Sequence, residues 1–332
     1  MTLSNKEIAL MMKSQRKAHI VTERDKQFEQ QLRRKFEVDD AGDLTHLPVL
    51  CTAGTETTGI AFIEGSGGGK TTAISEVLHN FAPLALNPET GVPRYLSIKV
   101  EVPATLRSLG VSILKKLGVD KVSDRAKVYE IWEMVRFRLQ VMGITLVWID
   151  EAHDMFKSAS GGETSNMFKM LKGLMQGQHP VVLVLSGTER LSSITGLDAQ
   201  VNRRFTKIRP ALLAFGVDNE RIKGLIAGYA GRVGLQVALD DDAINRLIHG
   251  SRYRFGRSVV CILDAIECAL FDGAEVLEIK HFEDAWGTQE GCEISQNVFA
   301  AHDWMSIELG DEGEEVEAMP RTRNKHQRRK AG

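Results

Sequence analysis

The residues that decide the fold read Glu64-Gly65-Ser66-Gly67-Gly68-Gly69-Lys70-Thr71-Thr72. They follow a short apolar run and precede a segment with a helical pattern, which is the setting of a phosphate-binding loop. Glycines let backbone N–H groups converge on one anion, and the N-terminus of the following helix adds positive potential. The sequence therefore predicts that Gly65 to Thr72 bind a nucleotide, with Lys70 on the β- and γ-phosphates and the Thr71 hydroxyl on Mg²⁺.

The loop departs from the usual GxxxxGK[ST] pattern at its first position, where this chain has Glu64 instead of glycine. Either Gly65 takes over the turn or the loop begins differently. The alternative to a phosphate-binding loop is a flexible glycine-rich linker, which the Lys70-Thr71 pair and the flanking elements disfavour. The sequence does not decide how Glu64 affects nucleotide affinity.

Two carboxylates follow an apolar run at residues 144–149, and the first of them lies 80 residues after Lys70. Phosphoryl transfer to water needs two acidic roles at such a strand end. Asp150 is predicted to support Mg²⁺ through water, and Glu151 to polarise the attacking water. A strand that ends in Asp-Glu is alone only a moderately specific sign of phosphoryl transfer. Together with a phosphate-binding loop at this distance, it is a strong sign.

Three further positions carry candidate groups. The Thr188 hydroxyl, after the next apolar run, is predicted to hold the attacking water or contact the γ-phosphate, with a polar strand cap as the alternative. Arg203 or Arg204, before a fifth strand, can reach a neighbouring subunit's nucleotide, unless acids hold both at the surface. Arg257, at the start of a later helix, can reach the phosphates, or is an ordinary surface arginine.

The predicted fold class is α/β. Short runs rich in β-branched residues alternate with helical segments, and continuous apolar runs are typical of parallel strands covered on both faces. The sequence predicts a three-layer domain with a parallel five-stranded sheet, followed by a small helical domain. The predicted strands lie at residues 59–63, 95–100, 144–149, 181–185 and, more weakly, 205–212.

Four regions follow from these patterns. Residues 1–46 are predicted as an N-terminal helical extension, 47–215 as the P-loop core, 216–290 as a helical lid, and 291–332 as a C-terminal extension. The extension carries an acidic block at 308–317 and a basic block at 320–330, which are typical of disordered tails.

Composition excludes several classes. With 332 residues, 43% hydrophobic, the chain is typical of a globular protein, and the net charge of −2 gives no global positive field for nucleic acid. A local patch must therefore hold any anionic partner. Its four cysteines lack zinc-site spacing, and no signal peptide or membrane-length apolar run is present. A cytoplasmic protein without membrane association is expected.

Taken in order, the motifs over residues 57–290 resemble those of AAA+ ATPases. Gly65–Thr72 resembles the Walker A motif, 144–151 Walker B, and 185–188 the sensor 1 region. Arg203 and Arg204 resemble the arginine-finger box, and Arg257 resembles sensor 2. The resemblance implies ATP and Mg²⁺ as cofactors and ATP hydrolysis as the activity.

Within AAA+, the chain is most similar to the TniB family of transposition ATPases, relatives of the phage Mu target-selection ATPase. The similarity rests on residues 19–24, 100–109 with 117–119, and 149–154 with 185–191. It implies an ATP-dependent ring or helical filament on duplex target DNA that recruits a transposase and a TniQ-like targeting adaptor. Hydrolysis would disassemble this homo-oligomer.

By the same analogy, the loops after the second strand face the DNA. The candidate contacts are Arg107, Lys121, Arg125 and Lys127, and the alternative is a merely solvated basic face. Such contacts would be mostly to phosphates and sensitive to salt. The basic block near the C-terminus is a further candidate for binding DNA or transposase.

Three rival interpretations remain. Residues 150–153 also spell the DEAH string of helicases. A helicase needs a second RecA-like lobe, and the sequence predicts no further strands from which to build one. An AAA+ initiator or loader often adds a winged-helix domain, for which residues beyond 290 offer little room. A DNA scaffold that is switched by ATP without hydrolysing it would need Lys70 but tolerate the loss of Glu151.

Overall fold

The computed structural model of the chain describes residues 3–157 and 161–310, so the basic block and all but the first three residues of the acidic block lie outside the described residues. The N-terminal elements are α1 (Asn5–Lys17), α2 (Glu23–Arg33), β1 (Phe36–Val38) and β2 (Leu44–Pro48). The central elements are β3 (Gly59–Ile63), α3 (Lys70–Asn80), β4 (Tyr95–Lys99), α4 (Leu106–Lys116), α5 (Val128–Met142), β5 (Leu146–Asp150), α6 (Gly161–Leu174), β6 (Val182–Gly187), α7 (Glu189–Gly196), α8 (Ala199–Asn202) and β7 (Phe205–Ile208). The last elements are α9 (Asn219–Arg232), β8 (Gln236–Ala238), α10 (Asp241–Gly250), α11 (Phe255–Phe271), β9 (Val276–Glu278) and α12 (Ile279–Glu290).

The central sheet has five parallel strands in the order β4-β5-β6-β3-β7. Every residue of β3, β5 and β6 is buried, as expected for parallel strands with helices on both faces. The predicted fold class is therefore confirmed. Because the strands are parallel, their carboxyl ends lie at one edge of the sheet. The glycine-rich loop follows β3 at this edge, the acidic pair lies at the end of β5, and Thr188 follows β6.

The side chains of β3 alternate between two hydrophobic cores, because successive residues of a strand point to opposite faces. Ala61 and Ile63 enter the core beneath α4, α5 and α6, whereas Ile60 and Phe62 enter the core beneath α2 and α3. Phe28 of α2 meets Phe62 edge to face, with ring centroids 5.9 Å apart. The α2 helix therefore packs on the central sheet and covers part of one of its faces.

The helical lid packs α9 to α12 around a third core. Asp240 caps α10, as predicted, because its carboxylate accepts the Ala243 N–H at 2.8 Å. The short parallel pair β8 and β9 was not predicted, since three-residue strands show too little periodicity in the sequence. In the described parts of the chain, no helix is both long and apolar enough to cross a lipid bilayer.

The N-terminal helices contact both parts of the molecule. Ile8 and Met12 of α1 are buried in the core of the helical lid, where α1 lies against α11. The antiparallel pair β1 and β2 lies in the segment for which the sequence predicted helices, so that expectation was wrong locally. The segment between α1 and α2 consequently passes from the lid to the central sheet.

Candidate active site

The glycine-rich loop joins β3 to α3 and wraps around the first turn of that helix. Gly67 and Gly69 have φ values of +73° and +103°, a region that glycine adopts without the cost other residues bear. The Gly68 N–H donates to the Gly65 carbonyl at 3.2 Å, which closes the turn. Lys70 begins α3, so the loop presents backbone N–H groups and a helix N-terminus together, as predicted.

Lys70 and Glu151 form an ion pair across the site. The Lys70 Nζ lies 3.2 Å from the Glu151 Oε1, and the lysine side chain is only 6% exposed. Glu151 has φ +52° and ψ +40°, a left-handed conformation that costs energy in a residue with a Cβ. This strained backbone directs the carboxylate from the end of β5 towards the loop.

Asp150 is held by a chain of hydrogen bonds. The Thr71 Oγ1 donates to its Oδ2 at 3.0 Å, and the Ser186 Oγ donates to its Oδ1 at 2.6 Å. The Trp148 Nε1 in turn donates to Ser186 Oγ at 2.8 Å. Thr71 and Asp150 were predicted from the sequence, whereas the positioning role of Ser186 was not. That role follows from the pairing of Leu185 with Ile149 in the sheet.

Thr71 and Asp150 fit the ligand preferences of Mg²⁺. Both offer hard oxygen atoms, and these atoms lie within hydrogen-bond distance of each other. Mg²⁺ in nucleotide sites is commonly held by one or two protein oxygens together with waters and phosphates. Within the described residues, no group of three or more His, Cys, Asp or Glu side chains is placed to hold a metal.

His153 lies behind the acidic pair and was not predicted. Its Nδ1 is 3.4 Å from the Glu151 Oε2, and burial lowers the pKa of the imidazole despite the nearby carboxylates of Asp154 and Glu151. The lowered pKa favours the neutral form of the ring, so His153 does not act as a cationic partner of Glu151 on that side.

The helical lid contacts the loop directly at the start of α11. The Gly256 N–H donates to the Gly68 carbonyl at 3.0 Å. A Cβ at Gly67 would come within 2.8 Å of Arg257, so this arginine lies against the loop, where the sequence predicted it. The Arg254 guanidinium lies against Gly65 and was not predicted.

A cavity of about 410 Å³ opens beside the loop, between the α1–α2 connection, α3 and α11. Thr72, one of the predicted binding residues, lines it together with Ile20, Tyr229 and Val259. Residues 19–24 contribute to the family resemblance, but no pattern in the sequence places them at the site. Their spatial role depends on how α1 and α11 pack, which no local pattern reveals.

Thr188 follows β6 at the carboxyl edge of the sheet and is half-buried at the start of α7. The Glu64 N–H donates to the Gly187 carbonyl at 3.0 Å, so the end of β6 is joined to the loop. The structure therefore places Thr188 beside the loop, on the same edge as Asp150 and Glu151.

Arg203 and Arg204 lie at the opposite edge of the sheet. They precede β7, which is parallel to β3, and a five-residue strand separates this edge from the loop by about 16 Å. Arg204 is buried and ion-paired with Glu56, whereas the Arg203 side chain is 61% exposed, with its Nη2 3.5 Å from Glu56. Neither arginine can reach the loop of its own chain.

Glu56 gives a testable pH dependence. A hydrogen bond from Thr52, followed by those from Gln176 and Arg204, lowers the pKa of Glu56 from its ordinary value of 4.5 to about 2. A lowered pKa stabilises the fold above pH 4.5, and this contribution is lost as the pH falls towards 2. We expect Glu56→Gln to lower the free energy of unfolding at pH 7.

The difference between Glu56→Gln and the wild type should shrink steadily between pH 4.5 and pH 3. Denaturant unfolding measured across this range checks the expectation. Glu37→Gln, at an exposed glutamate of β1, is the matched control. A difference that stays constant with pH would contradict the assignment.

The four candidate DNA contacts gather between α4 and α5. The Arg107 guanidinium donates to the carbonyls of Ser123 and Ala126 and thus supports this connection from α4. Lys121, Arg125 and Lys127 are exposed along this connection, and the acidic side chains of Asp120 and Asp124 are exposed beside them. The structure therefore brings the four residues together, and the Arg107 guanidinium is hydrogen-bonded to the backbone of the α4–α5 connection.

Comparison with known proteins supports this architecture. The most similar structures include the ORC2 protein of Aeropyrum pernix in ADPNP–ADP complexes, with a TM-score of 0.53 and 16% identity over 73% of this chain and 64% of that chain. Its ADP form gives a TM-score of 0.50 and 15% identity over 74% and 66%. The chain thus spans just under two thirds of these relatives. At such identity the likeness shows a shared fold alone.

The sequence comparison is more specific. No curated protein matches the chain by sequence. Residues 45–212, just over half of the chain, match the family described as "Bacterial TniB protein". This segment contains the loop, the acidic pair, Thr188 and both arginines, and the chain therefore belongs to the bacterial TniB family.

Proposed function

We propose that the chain is an ATP hydrolase that binds duplex DNA as an ATP-loaded oligomer and regulates transposition. In this proposal residues 47–215 act as the ATPase core and residues 216–290 as the lid. The observation that carries the proposal is the hydrogen-bonded set of Thr71, Asp150 and Ser186 beside the Lys70–Glu151 ion pair. These are the groups that phosphoryl transfer to water requires.

The residues divide the chemistry as follows. The N–H groups of residues 65–72 and the Lys70 ammonium bind the β- and γ-phosphates, and phosphate oxygens replace Glu151 as the partner of Lys70. Thr71 and Asp150 would hold Mg²⁺, which would supply positive charge to the phosphates. The Glu151 carboxylate then accepts a proton from the attacking water, which the Thr188 hydroxyl orients.

The cavity beside the loop accommodates the nucleoside. Its walls come from Thr72 of α3, Tyr229 of α9 and Val259 of α11, so the base would lie between the core and the lid. Arg257 extends from α11 to the loop and would contact the phosphates from the lid side. Nucleotide binding would therefore fix the position of the lid.

The exposed arginine, Arg203, is the better candidate for acting on a neighbouring subunit's nucleotide. Arg204 is buried against Glu56, so its removal takes away the buried cationic partner of that carboxylate, at a cost of about 3 kcal/mol in unfolding free energy. We expect Arg204→Ala to lose stability, and Arg203→Ala to keep stability and ATP binding while turnover falls about 100-fold or more.

A mixing experiment tests whether this arginine acts between subunits. Arg203→Ala chains mixed with Glu151→Gln chains should regain part of the turnover, because some interfaces then combine an intact Arg203 with an intact Glu151. Unchanged turnover in Arg203→Ala alone, or no recovery on mixing, would remove Arg203 from the site.

The DNA-bound state is proposed to be a ring or helical filament. Lys121, Arg125 and Lys127 would contact duplex phosphates, so binding should weaken steeply with salt. The family implies a transposase and a TniQ-like adaptor as partners of this assembly, with hydrolysis releasing the DNA. The basic block at 320–330, a further candidate contact, lies outside the described residues.

Phosphate release, measured with and without duplex DNA, tests the proposal against its alternatives. Turnover that rises with DNA, with assemblies visible by electron microscopy, would support the regulator. Undetectable turnover together with ATP-dependent DNA binding would favour a scaffold that does not hydrolyse ATP. Turnover that is indifferent to transposase and adaptor would favour an initiator or loader.

A further inference from the structure

Glu64, which stands where the phosphate-binding pattern has glycine, is buried within the loop. Its side chain is 8% exposed and lies on the Gly68 backbone so closely that a Cβ at Gly68 would overlap it. The carboxylate thus sits on the peptide units that are to receive phosphates. A carboxylate without a counter-charge at this place would repel the nucleotide.

Arg24 supplies that counter-charge from α2, forty residues earlier in the chain. Its Nη1 lies 3.1 and 3.2 Å from the two carboxylate oxygens of Glu64, and the arginine side chain is 7% exposed. The same nitrogen donates to the Gly68 carbonyl. One guanidinium therefore holds both the carboxylate and the loop backbone.

The position of Arg24 is fixed from two sides. At the start of α2, Asp25 accepts hydrogen bonds from the Thr22 backbone and hydroxyl, which anchors this turn. On the other side, the Arg24 Cζ lies 4.7 Å from the ring centroid of Phe255, the first residue of α11. Arg24 therefore touches the loop and the lid at once.

The ionisation of the pair agrees with this geometry. Burial raises the pKa of Glu64, and the positive charges of Arg24, Lys70 and Arg254 oppose that shift. Burial likewise lowers the pKa of the Arg24 guanidinium, and the Glu64 carboxylate is the main group that opposes it. Two charges taken out of water in this way are tolerated because each is the other's hydrogen-bonded partner, and removal of Arg24 takes away the largest of the positive charges that act on Glu64.

We infer that Arg24 is a positioning residue for nucleotide binding, which neutralises Glu64 and holds the Gly68 peptide, so that glutamate at this loop position depends on arginine at position 24. The inference rests on the nucleotide site proposed above. It assigns the two residues one joint role that neither has alone.

A double-mutant cycle tests the dependence, with the affinities of ATP and ADP measured in Mg²⁺ buffer by isothermal titration calorimetry. Arg24→Met should bind ATP about tenfold or more weakly, because Glu64 loses its partner. Glu64→Gly, which restores the usual glycine, should bind within about threefold of the wild type. The double variant should bind ATP several-fold more tightly than Arg24→Met, since the unpaired carboxylate is gone, and more weakly than Glu64→Gly, since the hydrogen bond to the Gly68 carbonyl is still missing.

Arg33→Met is the matched control, because it removes an arginine from the same helix whose partner, Glu29, is exposed. It should leave ATP affinity unchanged. Thermal unfolding of each variant separates loss of binding from loss of fold. If Arg24→Met alone does not fold, the inference still requires the double variant to fold and bind.

Three results would overturn the inference. The first is wild-type affinity in Arg24→Met. The second is a double variant that binds no better than Arg24→Met. The third is a double variant that does not fold. A wild-type chain that binds neither nucleotide is a different outcome, since it removes the proposed ATP site and the inference with it.

Discussion

Lys70→Ala should lower ATP affinity about 100-fold or more and abolish ATP-dependent DNA binding. The lysine side chain is 6% exposed, lies at the first residue of α3, and forms an ion pair with Glu151. Its removal takes away the buried ammonium proposed to bind the β- and γ-phosphates and leaves Glu151 facing the loop. Loss of a buried charged partner of this kind typically costs several kcal/mol.

The measurement is ATP affinity by calorimetry, followed by DNA binding at saturating nucleotide. Lys169→Ala, which removes an exposed lysine on α6, is the control and should bind as the wild type does. DNA binding by Lys70→Ala at wild-type affinity would show that nucleotide does not control the DNA-bound state.

Glu151→Gln should keep ATP and DNA binding while lowering turnover by about 10²- to 10⁴-fold, the usual contribution of a general base. Glutamine keeps the size of the side chain but cannot take a proton from water. It also removes the carboxylate that forms an ion pair with Lys70, which favours phosphate as the partner of the ammonium. The ATP-loaded assembly should therefore accumulate on DNA and persist.

Phosphate release and the lifetime of the DNA complex after dilution measure these two effects. Glu189→Gln, on the exposed first turn of α7, is the matched control and should turn over as the wild type does. Rapid disassembly of Glu151→Gln in ATP would separate disassembly from hydrolysis and contradict the proposed cycle.

The sheet, and the edge of it that carries the glycine-rich loop and the acidic pair, were predictable because the sequence patterns that identify them are local. Continuous apolar runs mark buried parallel strands, and a glycine-rich loop before a helix marks a phosphate site. Since parallel strands end at one edge, the meeting of Thr71 with Asp150 followed from chain order alone.

Features that depend on distant packing were not predictable. The Arg24–Glu64 pair joins residues forty positions apart, and neither residue lies in a pattern that identifies its partner. Arg203 and Arg204 are adjacent and identical in type, so only the structure shows that one is buried and the other exposed. Ser186 hydrogen-bonds to Asp150 because of the register between β5 and β6, which the sequence does not specify.

The most direct test of the account is duplex-DNA binding, measured by fluorescence anisotropy with ATP, with ADP and without nucleotide. We predict tight binding with ATP only, weakening steeply as salt rises because phosphates supply most contacts. Equal binding in all three states, or no binding in any, would contradict the claim that ATP at this site controls assembly on DNA.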